Sequence, residues 1–412
     1  MSHDQKAADT VLLRAARIIG VDRVIESANA LIEKGRISRI SETDSLSAPD
    51  AAVFDLSGLT LWPGFIDVHI HGAAGIDTMQ ASAEDLARVS HFLARHGVTS
   101  WLPTLVPSSP AQYQSAISAI EEVMLEQQKE TEQAGSLRSR VLGVHYEGPF
   151  VNADQCGALH REHFRVFGSI RDLETLPTIT GNSAVHLMTL APEIAGGIEL
   201  IRELDRRGWI ISIGHTRADL DVLDRALQAG AQHMTHFMNA MPALHHRSPG
   251  PVGWGLLNDA ITCDVIADGI HIDPMILKLI LGFKRGDRVA LISDAIAPAG
   301  LGDGEYQIWG ETIKVENGRT RNVRGNIAGS VITMLDAVRL MLSLGASQPD
   351  VARMASLNPA RLLGIDGECG SIEEGKWADL VGLDAENKVR FVMIGGRVSV
   401  GDGGFQAFQE SG

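Results

Sequence analysis

The sequence predicts an α/β chain: a TIM-type (β/α)8 barrel with a small β-sandwich domain formed by both chain ends. Between residues 65 and 293, eight apolar runs alternate with segments patterned as helices, the count such a barrel requires. Runs rich in β-forming residues bracket that region on both sides. Histidines and carboxylates recur where the apolar runs end, and barrels of this type carry their active sites at the carboxyl ends of the strands.

The first sixty residues contain VLLRAARIIG, RVIESANALIEKGRISRISE and AVFDLSGLTLWPG, short β-rich runs broken by Gly, Asp and Ser. The same texture returns in WADLVGLDAENKVRFVMIGGRVS. A domain split between residues 1–62 and 363–412, around a catalytic barrel at 63–362, accounts for both and brings the termini near each other. The barrel runs are FIDVHI (65–70), VTSWLPTLV (98–106), VLGVHY (141–146), AVHLMTLA (184–191), WIISIG (209–214), HMTHF (233–237), CDVIA (263–267) and VALIS (289–293). Helical patterns separate most of them. In SAEDLARVSHFLARHG, Leu86, Val89 and Leu93 share a face, Ser82 and Asp85 suit a capping box, and Gly97 suits the stop. Asp219 opens another helix, with Leu220, Leu223 and Leu227 in the same spacing and Gly230 at its end. A doubly wound open sheet is the structural alternative, but no GxGxxG follows the first run to favour it. Beyond the eighth run, GEYQIWGETIKVENGRTRNVRG reads as a β-hairpin insertion turning at its glycines, followed by helices in TMLDAVRLMLSLG and PDVARMASLNPARLLG. The polar stretch QQKETEQAGSLRSR (127–140) reads as a solvated helix end and loop.

Composition narrows the function classes. A hydrophobic fraction of 44% over 412 residues is ample for a large core, yet no apolar run reaches the ~18 residues of a membrane span. MSHDQKAADT lacks the apolar segment of a secretory signal. Cys156, Cys263 and Cys369 are scattered without a CxxC pair, which predicts a reducing cytoplasm and no disulfide framework. A net charge of −15 argues against nucleic acid as the main partner. It leaves room for an anionic substrate, because charges beyond about 8 Å are largely screened and one nearby arginine then governs a phosphate.

His69 and His71, at i and i+2, face the same side of a strand. Taken alone, such a pair reads more readily as core imidazoles satisfied by backbone carbonyls than as ligands. The other runs change that. The third ends in His145-Tyr146-Glu147-Gly148-Pro149, the fifth in Gly214-His215-Thr216, the sixth contains His236 and the eighth ends in Asp294. Five strand ends delivering nitrogen and oxygen donors to one rim predict a metal site. The set contains no cysteine, so zinc, ferrous iron or manganese suits it better than a soft metal. Glu147 before Gly-Pro also fits a solvent-facing turn, but directly after VLGVHY it leaves the barrel level with the other donors, where two ions can share it. Asp294 also fits a helix N-cap, yet Pro298 and Gly300 favour a loop and so a catalytic carboxylate.

WPGFIDVHIHG, GVHYEGPFVN, SIGHT, THFMNAMPALHHRSPG, VIADGIHID, LISDAIAPAG, NIAGSVITM and GSIEEGKWADLVGLD together resemble the N-acetylglucosamine-6-phosphate deacetylases of the amidohydrolase superfamily, over nearly the whole chain. The resemblance implies metal-dependent hydrolysis of N-acetylglucosamine 6-phosphate to glucosamine 6-phosphate and acetate, with one or two divalent ions per subunit. It implies Glu147, His215 and His236 as ligands of the main ion, and Asp294 as general acid/base and as a further metal-binding residue. His69 and His71 match the members that hold a second ion. The resemblance further implies His271 as the loop histidine of the substrate pocket and Asn239 and Ala240 as sugar contacts. Ile327, Ala328 and Gly329 match a substrate-lining loop. Arg247 resembles a phosphate clamp reaching into the neighbouring subunit's site, which implies a homodimer. The family's Gly-x-His after EGPF is here one residue longer, Gly157-Ala158-Leu159-His160, so either His160 swings into the same place or that contact is lost. His245 and His246 read as exposed loop residues. The alternatives are a galactosamine-6-phosphate deacetylase or cyclic-amide hydrolase, and a non-catalytic, barrel-shaped assembly protein.

Overall fold

The computed structural model describes residues 10–43, 46, 48–129, 137–181 and 184–400. MSHDQKAAD and most of the polar stretch after Lys129 therefore lie outside the described residues. Eight parallel strands form the barrel: β1 (Phe65–Ile70), β2 (Val98–Leu105), β3 (Gly143–Glu147), β4 (Val185–Leu190), β5 (Ile210–Ile213), β6 (His233–Met234), β7 (Thr262–Ile266) and β8 (Val289–Ile292). Each pairs with the next in chain order. Helices α1 (Ala83–Arg95), α2 (Pro110–Lys129), α3 (Gly197–Arg206), α4 (Leu220–Ala229), α5 (Gly250–Leu257), α6 (Pro274–Lys284) and α7 (Met334–Ser343) lie in the chain between and after the strands. The link from β3 to β4 has no α-helix, only three short 3-10 turns.

Local chemistry accounts for these elements. Ser82 and Asp85 form the reciprocal capping box of α1, and Leu86, Val89 and Leu93 are buried by its inner face. Each such side chain contributes about 1.5–3 kcal/mol relative to exposure. Asp219 caps α4 by accepting from the Val222 amide, and Gly230 closes it at φ +122°. The HMTHF run departs from its expected length. Only its first two residues pair as strand, and the chain then turns sharply through residues 235–240. The insertion after β8 has three antiparallel strands, Gly304–Ile308, Glu311–Glu316 and Arg319–Arg321, where the glycine pattern predicts a two-stranded hairpin.

The ring has a seam between β8 and β1. These strands meet through bonds at their carboxyl ends: the Asp294 amide donates to His69 O (3.0 Å) and the His71 amide to Ala295 O (2.8 Å). Below them the Ser293 hydroxyl donates to the buried Asp67 carboxylate at 2.5 Å. Both chain ends build the second sheet, in which Thr60–Pro63 pairs antiparallel with Leu380–Leu383. Its eight strands form one branched sheet, since the first strand, Thr10–Ile19, pairs with Ala52–Asp55 over one stretch and with Thr60–Leu61 further on. Leu13, Ile18, Phe54, Leu61, Leu380 and Phe391 belong to the apolar cluster it encloses. Among the described residues, no helix is long and apolar enough to cross a membrane.

Candidate metal centre and active site

Among the described residues, two overlapping groups of side chains could hold an ion, His69-His71-Glu147 and Glu147-His215-His236. All of them are buried. Glu147 Oε1 lies 2.8 Å from His215 Nε2 and 2.9 Å from His236 Nε2, while Oε2 lies 3.4 Å from His71 Nε2. The carboxylate at the end of β3 thus stands between two histidine pairs. Asp294 Oδ1 sits 3.3 Å from Nε2 of both His69 and His71. Within each pair the imidazole nitrogens face each other, at 3.0 Å for His69 and His71 and 3.1 Å for His215 and His236. Ring nitrogens this close repel unless a proton or cation lies between them. Tetrahedral zinc with its usual nitrogen distances spaces ligands about 3.3 Å apart, so the donor set fits a divalent ion. His215 Nδ1 is held by Gln155 O at 2.8 Å, which turns Nε2 toward the centre.

The backbone shows what this convergence costs. His215, His236, Ala240 and Asp294 all adopt left-handed φ, between +30° and +50°. Such conformations cost of order 1–3 kcal/mol each and collect at functional sites. Here they turn the chain off each strand end so that the side chain meets the others over the barrel mouth.

Charge is distributed to match. Burial alone raises the Glu147 pKa, but hydrogen bonds from His215 and His236 outweigh it and hold the carboxyl well below its usual range. Asp294 behaves alike: burial raises its pKa and the adjacent His69 and His71 pull it far lower. For His236 burial favours the neutral ring, yet Glu147 lifts its pKa to about 9. Burial lowers His69, whereas Asp294 and Glu147 overcome burial at His71 and raise it.

Beneath the site the barrel interior is polar. His145 Nε2 lies 2.8 Å from Thr189 Oγ1, which continues to Thr235 (2.6 Å), Ser212 (2.5 Å) and His233 Nδ1 (2.8 Å). Burial keeps His145 well below its usual pKa and drives His233 down to about 3, so both are neutral. Asp264 accepts from the His236 amide and anchors that residue from below.

A cavity of about 130 Å³ opens above the donors. Ala158, Asn239, Ala240, His271, Ile327 and Gly329 line it together with His71, Glu147, His215, His236 and Asp294. His271 Nδ1 is bound to Asp268 at 2.7 Å, which leaves Nε2 for the cavity. The Asn239 side-chain amide has no hydrogen-bond partner among the described residues. Three sequence-predicted residues are placed elsewhere. His160 stands outside the cavity, between Glu162 (3.4 Å) and Glu311 (3.6 Å), and Leu159 takes a place on the lining. Ala328 is buried behind its neighbours against Ile296, Ile308 and Ile313. Arg247 is exposed on the loop before α5 and does not line the cavity of its own chain.

The sequence profile of the amidohydrolase family matches residues 60–399. The chain belongs to that family. This amidohydrolase is 35% identical over 396 residues to the N-acetylglucosamine-6-phosphate deacetylase of Bacillus subtilis, covering 95% of this chain and 98% of the relative. It is 34% identical over 392 residues to the N-acetylgalactosamine-6-phosphate deacetylase of Escherichia coli O157:H7, covering 95% and 99%. The crystal structure of the N-acetylglucosamine-6-phosphate deacetylase of Pasteurella multocida superposes with a TM-score of 0.85 at 28% identity, over 95% of this chain and all of that one.

Sequence reasoning passed over Trp309, Leu159 and Ile266, which also line the cavity of this amidohydrolase. Ile266 follows from strand alternation once β7 is assigned. Trp309 carried a signal in the dipeptide Trp-Gly at a hairpin turn, an unusual place for an aromatic ring.

Proposed function

We propose that this chain is a metal-dependent hydrolase that removes acetate from N-acetylglucosamine 6-phosphate to give glucosamine 6-phosphate. The observation that carries the reading is Glu147 standing between two histidine pairs with Asp294 beside them, at the floor of a cavity whose wall offers His271 and Asn239. A divalent ion held by Glu147, His215 and His236, with room for a second at His69 and His71, supplies carbonyl polarisation and acidified water when bound. Zinc suits the donors best, with iron or manganese as alternatives. Asp294, kept ionised by His69 and His71, takes a proton from the attacking water and returns it to the amine nitrogen as the C–N bond breaks. An acetamide and water thereby become acetate and an amine. His271 and Asn239 orient the sugar, with Ala240, Ile327 and Gly329 close by. The division at residues 62/63 and 362/363 and a cytoplasmic setting belong to the same reading, the latter supported by three buried, unpaired cysteines.

The second reading, the galacto epimer as substrate, is favoured by the similarity to the Escherichia coli relative. Comparing kcat/KM for the gluco and galacto substrates decides between them, and turnover of neither removes the proposal. In the same assay Arg247→Ala is expected to raise KM for the phosphorylated sugar at least about tenfold, since charge-assisted contacts contribute roughly 1.5–3 kcal/mol. Unphosphorylated N-acetylglucosamine should be little affected, and equal effects on both reject a phosphate role.

Arg247 works in a neighbouring subunit's site in this reading, and α6 supports a homodimer. Met275 (79% exposed), Ile276, Leu279 (40%) and Phe283 (49%) crowd its outer side, with Leu257 at the end of α5. A clustered apolar surface of this kind marks an interaction face. Phe283→Asp is expected to shift the protein from dimer to monomer in sedimentation and to reproduce the Arg247→Ala rise in KM. A dimer that persists with normal KM defeats this assignment.

A further inference from the structure

Strands Gly304–Ile308 and Glu311–Glu316 pair with Ile308 opposite Glu311, so Trp309 and Gly310 form a two-residue turn. Both have positive φ, +52° and +78°. Turns of this kind favour Asn-Gly and tolerate glycine, since other side chains meet the backbone in that conformation. The chain makes the same turn at Lys34-Gly35, Asn317-Gly318 and Gly395-Gly396, with matching φ values. Only the fourth instance carries an aromatic ring, and a bulky residue there is a genuine outlier. The turn's backbone conformation does not call for an indole. The explanation lies in where the ring goes: it packs edge-on against the His71 imidazole, centroids 5.4 Å apart at 84°, and walls the cavity over the donor set. The loop after the insertion's third strand ties it to the facing loop, where Arg324 donates to Ala158 O (2.8 Å) and Asn326 to Gly157 O (3.1 Å), and Arg324 also reaches Glu311 of the hairpin at 3.4 Å.

The order of strands around the ring gives that wall a role. Asn239 and His271 follow β6 and β7, so the sugar lies on that side, whereas Asp294, His71 and Trp309 stand at the β8–β1 side. With the carbonyl oxygen on the donor set and the nitrogen carrying the sugar, the remaining substituent of the carbonyl carbon, the acyl chain, points toward Trp309. We propose that Trp309 sets acyl-chain length, admitting a methyl group and excluding longer chains. The inference rests on the deacylation reading above. The chemistry is unchanged: water adds its oxygen to the acyl carbon, the C–N bond breaks, and the amine and the corresponding carboxylate leave.

The test compares kcat/KM of metal-loaded wild type, Trp309→Asn and Trp309→Gly on N-acetyl-, N-propionyl- and N-butyrylglucosamine 6-phosphate, with metal content and thermal midpoint measured on each. One methylene in an apolar pocket is worth about 10–200-fold, so wild type should prefer acetyl over butyryl by at least that factor and both variants should narrow the ratio at least about tenfold. Both variants suit the turn backbone but give up the ring's packing against its apolar neighbours, so the thermal midpoint serves to show that each variant is folded, with metal content expected unchanged. An acyl ratio equal to wild type, or a uniform loss on all three substrates, overturns the proposal and leaves Trp309 as a support for His71. Failure of wild type on every amide overturns the deacylation reading itself, and the proposal with it.

Discussion

Asp294→Asn is expected to lose at least about 10²-fold in kcat, the low end for a general acid/base. The substitution keeps the shape of the side chain and removes its ability to take a proton. The Asp294 amide still donates to His69 O and its carbonyl still accepts from Ser330, so the loop should stay in place. Metal content, held mainly by Glu147, His215 and His236 in the proposed reading, should remain at or near the wild-type level. The two readouts therefore separate chemistry from assembly. Near-normal turnover sinks the acid/base role assigned to Asp294, and loss of all metal makes its part as a metal ligand the essential one.

Removing the ion is the second large effect. A ligand at about a thousand times its dissociation constant adds roughly 4 kcal/mol to stability, so chelation should lower the thermal midpoint and abolish turnover together. The sign of the pH dependence follows from His236. Its pKa rises from 6.5 to about 9 in the folded, ion-free chain. The imidazolium facing Glu147 thus contributes stability that is full below about pH 6.5 and is lost as pH rises through about 9. An ion competes with that proton. The rise in midpoint on adding zinc to chelated protein should be larger at pH 9 than at pH 6.5, and Glu147→Gln should erase it at both. A gain independent of pH would show that His236 is neutral before metal arrives.

How much of this was legible beforehand differs from residue to residue. The barrel strands were readable because runs buried on both faces leave a continuous apolar signature, and β1 to β5, β7 and β8 fall within or beside the predicted runs. Strand β6 was overestimated for a physical reason: Thr235 and His236 look like strand residues, but His236 turns into left-handed backbone to reach Glu147. Glu147, His215, His236 and Asp294 were singled out as candidate donors by position at strand ends, with their roles implied by the family resemblance, and the structure brings the four together. What stayed hidden depends on contacts between distant segments. The hydroxyl chain from Thr189 to His233 consists of residues that are individually ordinary, and its meaning appears only when alternate strands face one another. His160 was indeterminate because one inserted residue changes which side chain faces inward, and register within an irregular loop leaves no periodic trace.

The seam between β8 and β1 has a mechanical consequence. The ring is fastened there by His69, His71, Ser293 and Asp294, the same short segments that carry the candidate donors and the carboxylate proposed to transfer protons. The groups proposed for catalysis act as the clasp of the barrel. A fluctuation that unfastens the first strand from the last also scatters the donors, so slow exchange of the Asp294 and His71 amides and retention of activity should fail together. An ion held by these donors would keep the clasp shut.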